Sequence, residues 1–205
     1  MAHSHTHQHL GLVHSHDHHH GPAGDWTDDT ARWYAEKFGD WPSQALLLEQ
    51  LGLSEGVVLV DVGCGTGAFL RMLAARVPAA RGIGIDCTKS MVDLARAKTE
   101  SDAVTLHEAD ATALPLDDAS ADRVVFLNTL HHLSDPSAAM REAVRVLRPG
   151  GQVWVGTDED VYDMSGWTNG RVRDHLSGAG LGRIRQTSAH QGDVVLNLLY
   201  AVKGG

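Results

Sequence analysis

The chain has few cysteines, few aromatic residues and no long apolar run. Its 205 residues include two cysteines, and aromatic side chains make up 5% of the composition. Two cysteines provide no disulfide framework, so we expect Cys64 and Cys87 to be free thiols. No segment approaches the roughly 20 apolar residues of a membrane helix, and the apolar stretch at 10–13 is too short for a signal peptide. We therefore expect a cytoplasmic protein that does not enter membranes.

Basic residues are outnumbered by acidic ones. Lysine and arginine total 17 against 26 aspartates and glutamates, which gives a formal net charge of −9. A broad basic face for nucleic acid is therefore not expected. The hydrophobic content of 42% supports a well-formed core within one domain of this length. We expect a monomer or homodimer whose partner is a small molecule.

Composition divides the chain into three segments. Residues 1–24 form a tail with nine of the fourteen histidines and otherwise mostly polar residues, which cannot build a core. Residues 25–53 read as an N-terminal helical cap, and residues 54–205 as the main domain. In the cap, Trp33, Tyr34, Phe38 and Trp41 are candidates for a lid over a binding site. Docking of the cap onto the core explains the same residues equally well.

The tail allows a function of its own. Neutral imidazoles at alternating positions suit zinc, nickel or copper. The candidate ligands are His14, His16, His18 and His20. A metal-binding or regulatory protein is therefore the alternative function. An engineered origin, and a tail without a physiological metal, also remain open.

The segment from 57 to 77 is the most informative part of the chain. The apolar run Val57–Val60, which ends in the acid Asp61, predicts a buried parallel strand over 57–61. Gly63, Gly65 and Gly67 then predict a tight turn, and residues 68–77 have the apolar spacing of a helix. A strand, a glycine loop and a helix in this order gather backbone amides at one point. This arrangement is typical of a nucleotide-type cofactor site.

Three acidic residues add detail to this cofactor site. Asp86 ends the next predicted strand, about 20 residues after the first glycine, where a carboxylate can bind ribose hydroxyls. Nicotinamide enzymes share this feature, so it does not by itself name the cofactor. Asp61 is placed to hold a cationic amino-acid group. Asp110 follows the third predicted strand and is available to an adenine edge.

With the strand at 123–127 and the segment Val146–Gly151 before a further strand, these motifs resemble the class I S-adenosylmethionine (SAM)-dependent methyltransferases. The similarity is greatest to the small-molecule enzymes of ubiquinone and menaquinone biosynthesis. It extends over 57–157. It implies an α/β, Rossmann-like fold with helices on both faces of a seven-stranded, mostly parallel sheet. The implied strand order is 3-2-1-4-5-7-6, with the last strand antiparallel.

The resemblance also implies an enzyme that transfers a methyl group from SAM to a small-molecule acceptor. The expected cofactor-binding residues are Asp61, Gly63, Gly65, Gly67, Asp86, Cys87, Met91, Asp110, Ala111 and Asn128. No D/N-P-P-Y segment, which marks many methyltransferases acting on adenine or glutamine nitrogen, follows the fourth strand. This absence also favours a small-molecule acceptor over nucleic acid.

Catalytic candidates follow the fourth and fifth strands. His131 and His132 lie in the loop after strand four, where a neutral imidazole can accept a proton from the acceptor. Packing and solvent exposure are the simpler explanations for the pair. Asp135 is expected to cap the next helix. Residues 158–160 read DED and are expected to form a solvated acidic loop, although they could also bind a cationic group.

Overall fold

The computed structural model describes residues 8–9, 12–13, 28–38 and 41–204. A seven-stranded sheet lies at its centre. Its strands, in chain order, are β1 (Val58–Val62), β2 (Arg81–Asp86), β3 (Val104–Glu108), β4 (Ala121–Leu127), β5 (Leu147–Asp158), β6 (Gly182–Gln191) and β7 (Val194–Val202). The spatial order is β3-β2-β1-β4-β5-β7-β6. The first five strands pair in parallel, and β7 is antiparallel to both neighbours. The predicted fold and strand order are confirmed.

Helices cover both faces of this sheet. They are α1 (Asp28–Phe38), α2 (Pro42–Gln50), α3 (Ala68–Arg76), α4 (Lys89–Lys98), α5 (Pro136–Val146), α6 (Glu159–Ser165) and α7 (Asn169–Gly178). On one face, apolar residues of α2 and α3 such as Leu47 and Leu70 pack against the sheet. On the other, Met140 of α5 and Leu176 of α7 do the same. The cap helix α1 packs against α4.

The strands β1, β2 and β4 end at the same edge of the sheet. β1 is buried along almost its whole length because its residues are apolar on both faces. Its neighbours β2 and β4 pair with it in parallel. The carboxyl ends of these three strands therefore meet at the same edge, which is where ligands bind in open α/β sheets.

One local prediction differs from the structure. The segment after β5 is the helix α6 rather than a loop, and Glu159 and Asp160 occupy its first turn, where carboxylates favour the positive helix end. β5 starts directly after α5 and includes Gly150, whose N–H donates to the carbonyl of Lys203. Asp135 caps α5 as predicted, since its side chain accepts from the N–H of Ala138.

Apart from the central sheet, Gln8–His9 and Leu12–Val13 form a short antiparallel pair. Within the described ranges, no helix is both long and apolar enough to cross a bilayer.

Candidate cofactor site

The glycine loop is fixed by backbone hydrogen bonds to the end of β2. The N–H groups of Gly63 and Cys64 both donate to the carbonyl of Ile85, at 2.7 and 3.0 Å. Gly67 then precedes α3 in a left-handed conformation, and no side chain caps the helix. The loop therefore turns tightly at the carboxyl end of β1, directly before a helix N-terminus, as the sequence pattern predicted.

Gly63 and Gly65 have opposite surroundings. Both have positive φ angles, +77° and +51°, which non-glycine residues rarely adopt. A Cβ atom at Gly63 would lie 2.4 Å from Cγ2 of the buried Thr129. A Cβ atom at Gly65 would meet no described atom within 4 Å. Gly63 thus allows close contact with the loop after β4, whereas Gly65 borders open space in which a ligand can approach the backbone.

Asp86 connects this loop to the start of α4. Its Oδ2 accepts from the N–H of Gly65 at 2.9 Å, and its Oδ1 accepts from the N–H of Thr88 at 2.9 Å. Burial raises the pKa of Asp86, and the two backbone amides partly oppose this rise. The Thr88 hydroxyl is a third donor to this carboxylate, so about one of its roughly four acceptor positions stays open. The geometry therefore fits a residue that also accepts from a ribose hydroxyl.

Asp61 is a buried acid at the same edge, 3% exposed. Burial and the nearby charge of Asp86 raise its pKa to about 7. A cation bound beside it would favour the ionised form. The environment therefore fits the expected role of holding a cationic group.

Replacing Asp61 with Asn should stabilise the ligand-free protein more at pH 8 than at pH 5. The pKa of Asp61 is higher in the folded chain than in the unfolded one, so the unfolded chain loses its proton first as pH rises. As pH rises from the ordinary aspartate pKa of 3.8 to about 7, the wild type therefore loses stability and the variant does not. We expect the variant to melt at least about 2 °C higher at pH 8, as about 1 kcal/mol produces in a chain of this size. Thermal unfolding at both pH values measures the difference.

The matched control is Asp163→Asn on the exposed surface of α6. Equal melting temperatures for wild type and Asp61→Asn at pH 8 would show that ionisation of the buried Asp61 does not destabilise the folded protein.

The loop after β3 brings two further candidates to this edge. Asp110 is exposed, and its Oδ1 accepts from both the N–H and the hydroxyl of Thr112 at 2.7 Å. These bonds lower its pKa and keep it ionised. Ala111 is buried beside it. Glu142 and Arg145 of α5 fasten the following residues through hydrogen bonds to the backbone of Leu114.

The remaining cofactor candidates are on α4 and the residues before it. Met91 is buried, and Cys87 is an exposed free thiol. Burial raises the pKa of Cys87, and the charge of Asp86 acts in the same direction. Their contact with a cofactor, like that of the other predicted site residues, stays a prediction.

The loop after β4 carries the histidine pair. Leu130–His132 form one turn of 3₁₀-helix, and the ring centroids of His131 and His132 lie 3.8 Å apart. Both side chains are partly exposed. Asn128, which starts this loop, has a positive φ of +51°. Its side-chain amide donates to the carboxylate of Asp158 at 2.7 Å. Its side-chain oxygen accepts from the backbone N–H of Asp158 at 2.9 Å.

The expectation of a solvated acidic loop at 158–160 is wrong for Asp158, which is buried. The residue is 7% exposed and ends β5. Its carboxylate accepts from the hydroxyl of Ser43 and the side-chain amide of Asn128, and the Trp41 indole also hydrogen-bonds it. Burial raises its pKa, and these donors oppose the rise. Ser43 and Asp158 are 115 positions apart, so no local sequence signal could have paired them.

The phenol of Tyr34 on α1 stays protonated at neutral pH. Burial raises its pKa to about 12, and the negative charges of Asp158 and Asp86 act in the same direction. The role of α1 as a lid stays a prediction, and the side chain of Phe38, another predicted lid residue, lies outside the described ones.

The proposed tail ligands His14, His16, His18 and His20 also lie outside the described residues. Within the part of the chain that the structure describes, no group of three histidine, cysteine, aspartate or glutamate side chains is arranged to hold a metal ion.

The segment that forms this edge is similar to known proteins. The methyltransferase domain family matches residues 60–155, which contain the glycine loop, Asp86 and the histidine pair. Residues 60–155 are a methyltransferase domain, and the sheet has the strand order of the class I SAM-dependent methyltransferases. SAM is the cofactor of this family, and the open backbone at Gly65 with the carboxylates of Asp61 and Asp86 fits it.

Two curated relatives show the range of this methyltransferase family. The chain is 36% identical over 133 residues to 27-O-demethylrifamycin SV methyltransferase of Amycolatopsis mediterranei, which covers 58% of this chain and 49% of the relative. It is 33% identical over 139 residues to tRNA (carboxymethyluridine(34)-5-O)-methyltransferase of Arabidopsis thaliana, with 64% and 32% covered. The chain thus spans half or less of the length of these curated relatives.

A solved SAM-dependent methyltransferase from Aquifex aeolicus shares the fold. It superimposes with a TM-score of 0.72 at 23% identity, covering 87% of this chain and 99% of that one.

Proposed function

We propose that this methyltransferase transfers the methyl group of SAM to a small-molecule acceptor bound between the N-terminal cap and the loop 128–133. The observation that carries the proposal is the hydrogen bond from the buried Ser43 of the cap helix α2 to Asp158 at the carboxyl end of β5. It indicates that the cap covers the edge where the cofactor is expected. A covered edge favours an acceptor small enough to enter beneath the cap, and the net charge of −9 disfavours a nucleic acid.

The residues of the chain would serve this reaction by placement. Asp86 and the glycine loop would hold the nucleoside, and Asp61 would hold the cationic amino-acid group. Bound SAM supplies an activated methyl group, so the protein contributes alignment and exclusion of water. His131 or His132 would take the proton from an acceptor hydroxyl or amine, since a neutral imidazole accepts protons near neutral pH.

An acceptor panel tests the proposal. The full chain is incubated with methyl-labelled SAM and pools of small phenols, carboxylic acids and amines, with bulk tRNA as a separate arm. We expect label in at least one small-molecule pool and none in tRNA. Asp86→Ala serves as the negative control, because loss of a charged hydrogen-bond partner should weaken cofactor binding by about 10- to 100-fold. Label in tRNA alone would overturn the small-molecule assignment.

A further inference from the structure

The carboxylate at the end of β5 joins two parts of the chain that are distant in sequence. Asp158 receives hydrogen bonds from Ser43 and Trp41, which belong to the start of the cap helix α2, and from Asn128, which begins the loop after β4. Ser43 is 1% exposed and Asp158 is 7% exposed. Hydrogen bonds to a buried ionised group are among the stronger ones, since water cannot replace them.

The contact with Asn128 is reciprocal. Asn128 donates to Oδ2 of Asp158 at 2.7 Å, and its own side-chain oxygen accepts from the backbone N–H of Asp158 at 2.9 Å. A third bond, from the N–H of Asn128 to the carbonyl of Gly156, measures 2.8 Å. These bonds hold Asn128 in its left-handed conformation, which costs free energy for a non-glycine residue. The start of the histidine loop is therefore fixed by the end of β5.

The same loop is held from its other side by the cofactor loop. Thr129 follows Asn128, is buried, and lies where a side chain at Gly63 would be. Its hydroxyl donates to the carbonyl of Leu127 at 2.9 Å. The turn that carries His131 and His132 thus begins between two fixed points, the glycine loop and Asp158.

We propose that Asp158 is a positioning residue that fastens the start of α2 to the loop 128–133 and thereby fixes the acceptor side of the site. This inference deepens the proposed function and rests on it. Three of the roughly four acceptor positions of the carboxylate are occupied by protein donors. Because these donors come from the cap and from the loop after β4, the carboxylate links two parts of the protein framework, and we assign it no contact with the acceptor.

A side-chain exchange between positions 128 and 158 tests the pairing. Asn128→Asp would set two buried carboxylates against each other. Adding Asp158→Asn restores one amide and one carboxylate with their positions reversed, and position 158 still offers an oxygen to Ser43. We expect Asn128→Asp to raise amide hydrogen exchange in 42–50 and 128–133 by about tenfold or more. The double variant should return to within about threefold of wild type, because the coupling between the two sites is favourable.

A second variant separates positioning from general stability. Ser43→Ala removes one donor to Asp158 and leaves the packing of α2 intact, with Ser177→Ala on the exposed end of α7 as the matched control. With an acceptor from the panel, Ser43→Ala should raise the KM for the acceptor about tenfold. Its affinity for S-adenosylhomocysteine should stay within about twofold of wild type, since no cofactor contact is removed.

Two results would overturn the proposal. One is amide hydrogen exchange in 42–50 and 128–133 that is as fast in the double variant as in Asn128→Asp alone. The other is Ser43→Ala weakening S-adenosylhomocysteine binding as much as acceptor binding. If no compound in the acceptor panel is methylated, the proposed function is contradicted. The amide hydrogen exchange measurement needs no acceptor, so it still decides the role of Asp158.

Discussion

Alanine at position 65 should abolish cofactor binding in a folded protein, whereas alanine at position 63 should destabilise the fold itself. The Cβ atom of Gly65→Ala meets no described atom, so the cost to folding is the left-handed conformation, about 1–2 kcal/mol. The same Cβ enters the open space next to the backbone of the glycine loop, where the cofactor is expected. We expect no measurable heat with S-adenosylhomocysteine in calorimetry and a cooperative thermal transition.

Gly63→Ala adds a steric clash to the same backbone cost. The new Cβ would lie 2.4 Å from Cγ2 and 2.5 Å from Oγ1 of Thr129. The hydroxyl of Thr129 is bonded to Leu127, so the side chain cannot turn away without losing that bond. We expect a loss of about 3 kcal/mol in the free energy of unfolding, combining overpacking and strain.

Thr129→Gly provides the control for this clash. In the Gly63→Ala background it should recover stability, although alone it should destabilise, which is the signature of two residues in contact. Additive effects of the two substitutions would contradict the contact. Retained binding in Gly65→Ala would contradict the placement of the cofactor beside that residue.

Removal of residues 1–45 should abolish methyl transfer, whereas removal of residues 1–24 should not affect it. The longer deletion takes away the helix α1 and both cap donors to Asp158, Trp41 and Ser43. Apolar core residues of α2 from Leu46 onward remain, so the sheet keeps its cover on that face. We expect at least about a 100-fold loss of turnover, because small errors in placement have effects of this size.

Turnover of both truncated chains is measured with the acceptor identified by the panel. The shorter deletion is the control, because it removes the histidine tail and leaves the cap intact. Full turnover after removal of residues 1–45 would show that the cap has no part in the reaction. Loss of turnover after removal of residues 1–24 would assign the tail to the mechanism.

The main features of the fold follow from local patterns in the sequence. The run Val57–Val60 is apolar on both faces, which predicts a buried parallel strand over 57–61, and the structure has β1 at Val58–Val62. Asp135 and Pro136 mark the start of α5 because capping chemistry is local. The alternation of strands and helices then restricts the topology to few arrangements.

The site was less accessible to sequence reasoning where contacts join distant residues. Asp86 was expected at the glycine loop because both end neighbouring parallel strands, and its bond to Gly65 agrees. The bond between Ser43 and Asp158 spans 115 positions and has no periodic or motif signal. The acidic run at 158–160 looked solvated because its composition is polar, yet Asp158 is buried by the cap and Asn128. Partners across such distances are set by packing and appear only in the folded chain.

The most direct test of the central claim is a crystal structure of the full chain with S-adenosylhomocysteine. We predict that its ribose hydroxyls lie within hydrogen-bonding distance of Asp86. We also expect the ligand to contact the protein backbone at Gly65 and to place its amino group near Asp61. We also predict that its sulfur faces the space between the cap and the loop that carries His131 and His132. Binding away from the carboxyl ends of β1 and β2, or contact with neither Asp86 nor the glycine loop, would contradict the account.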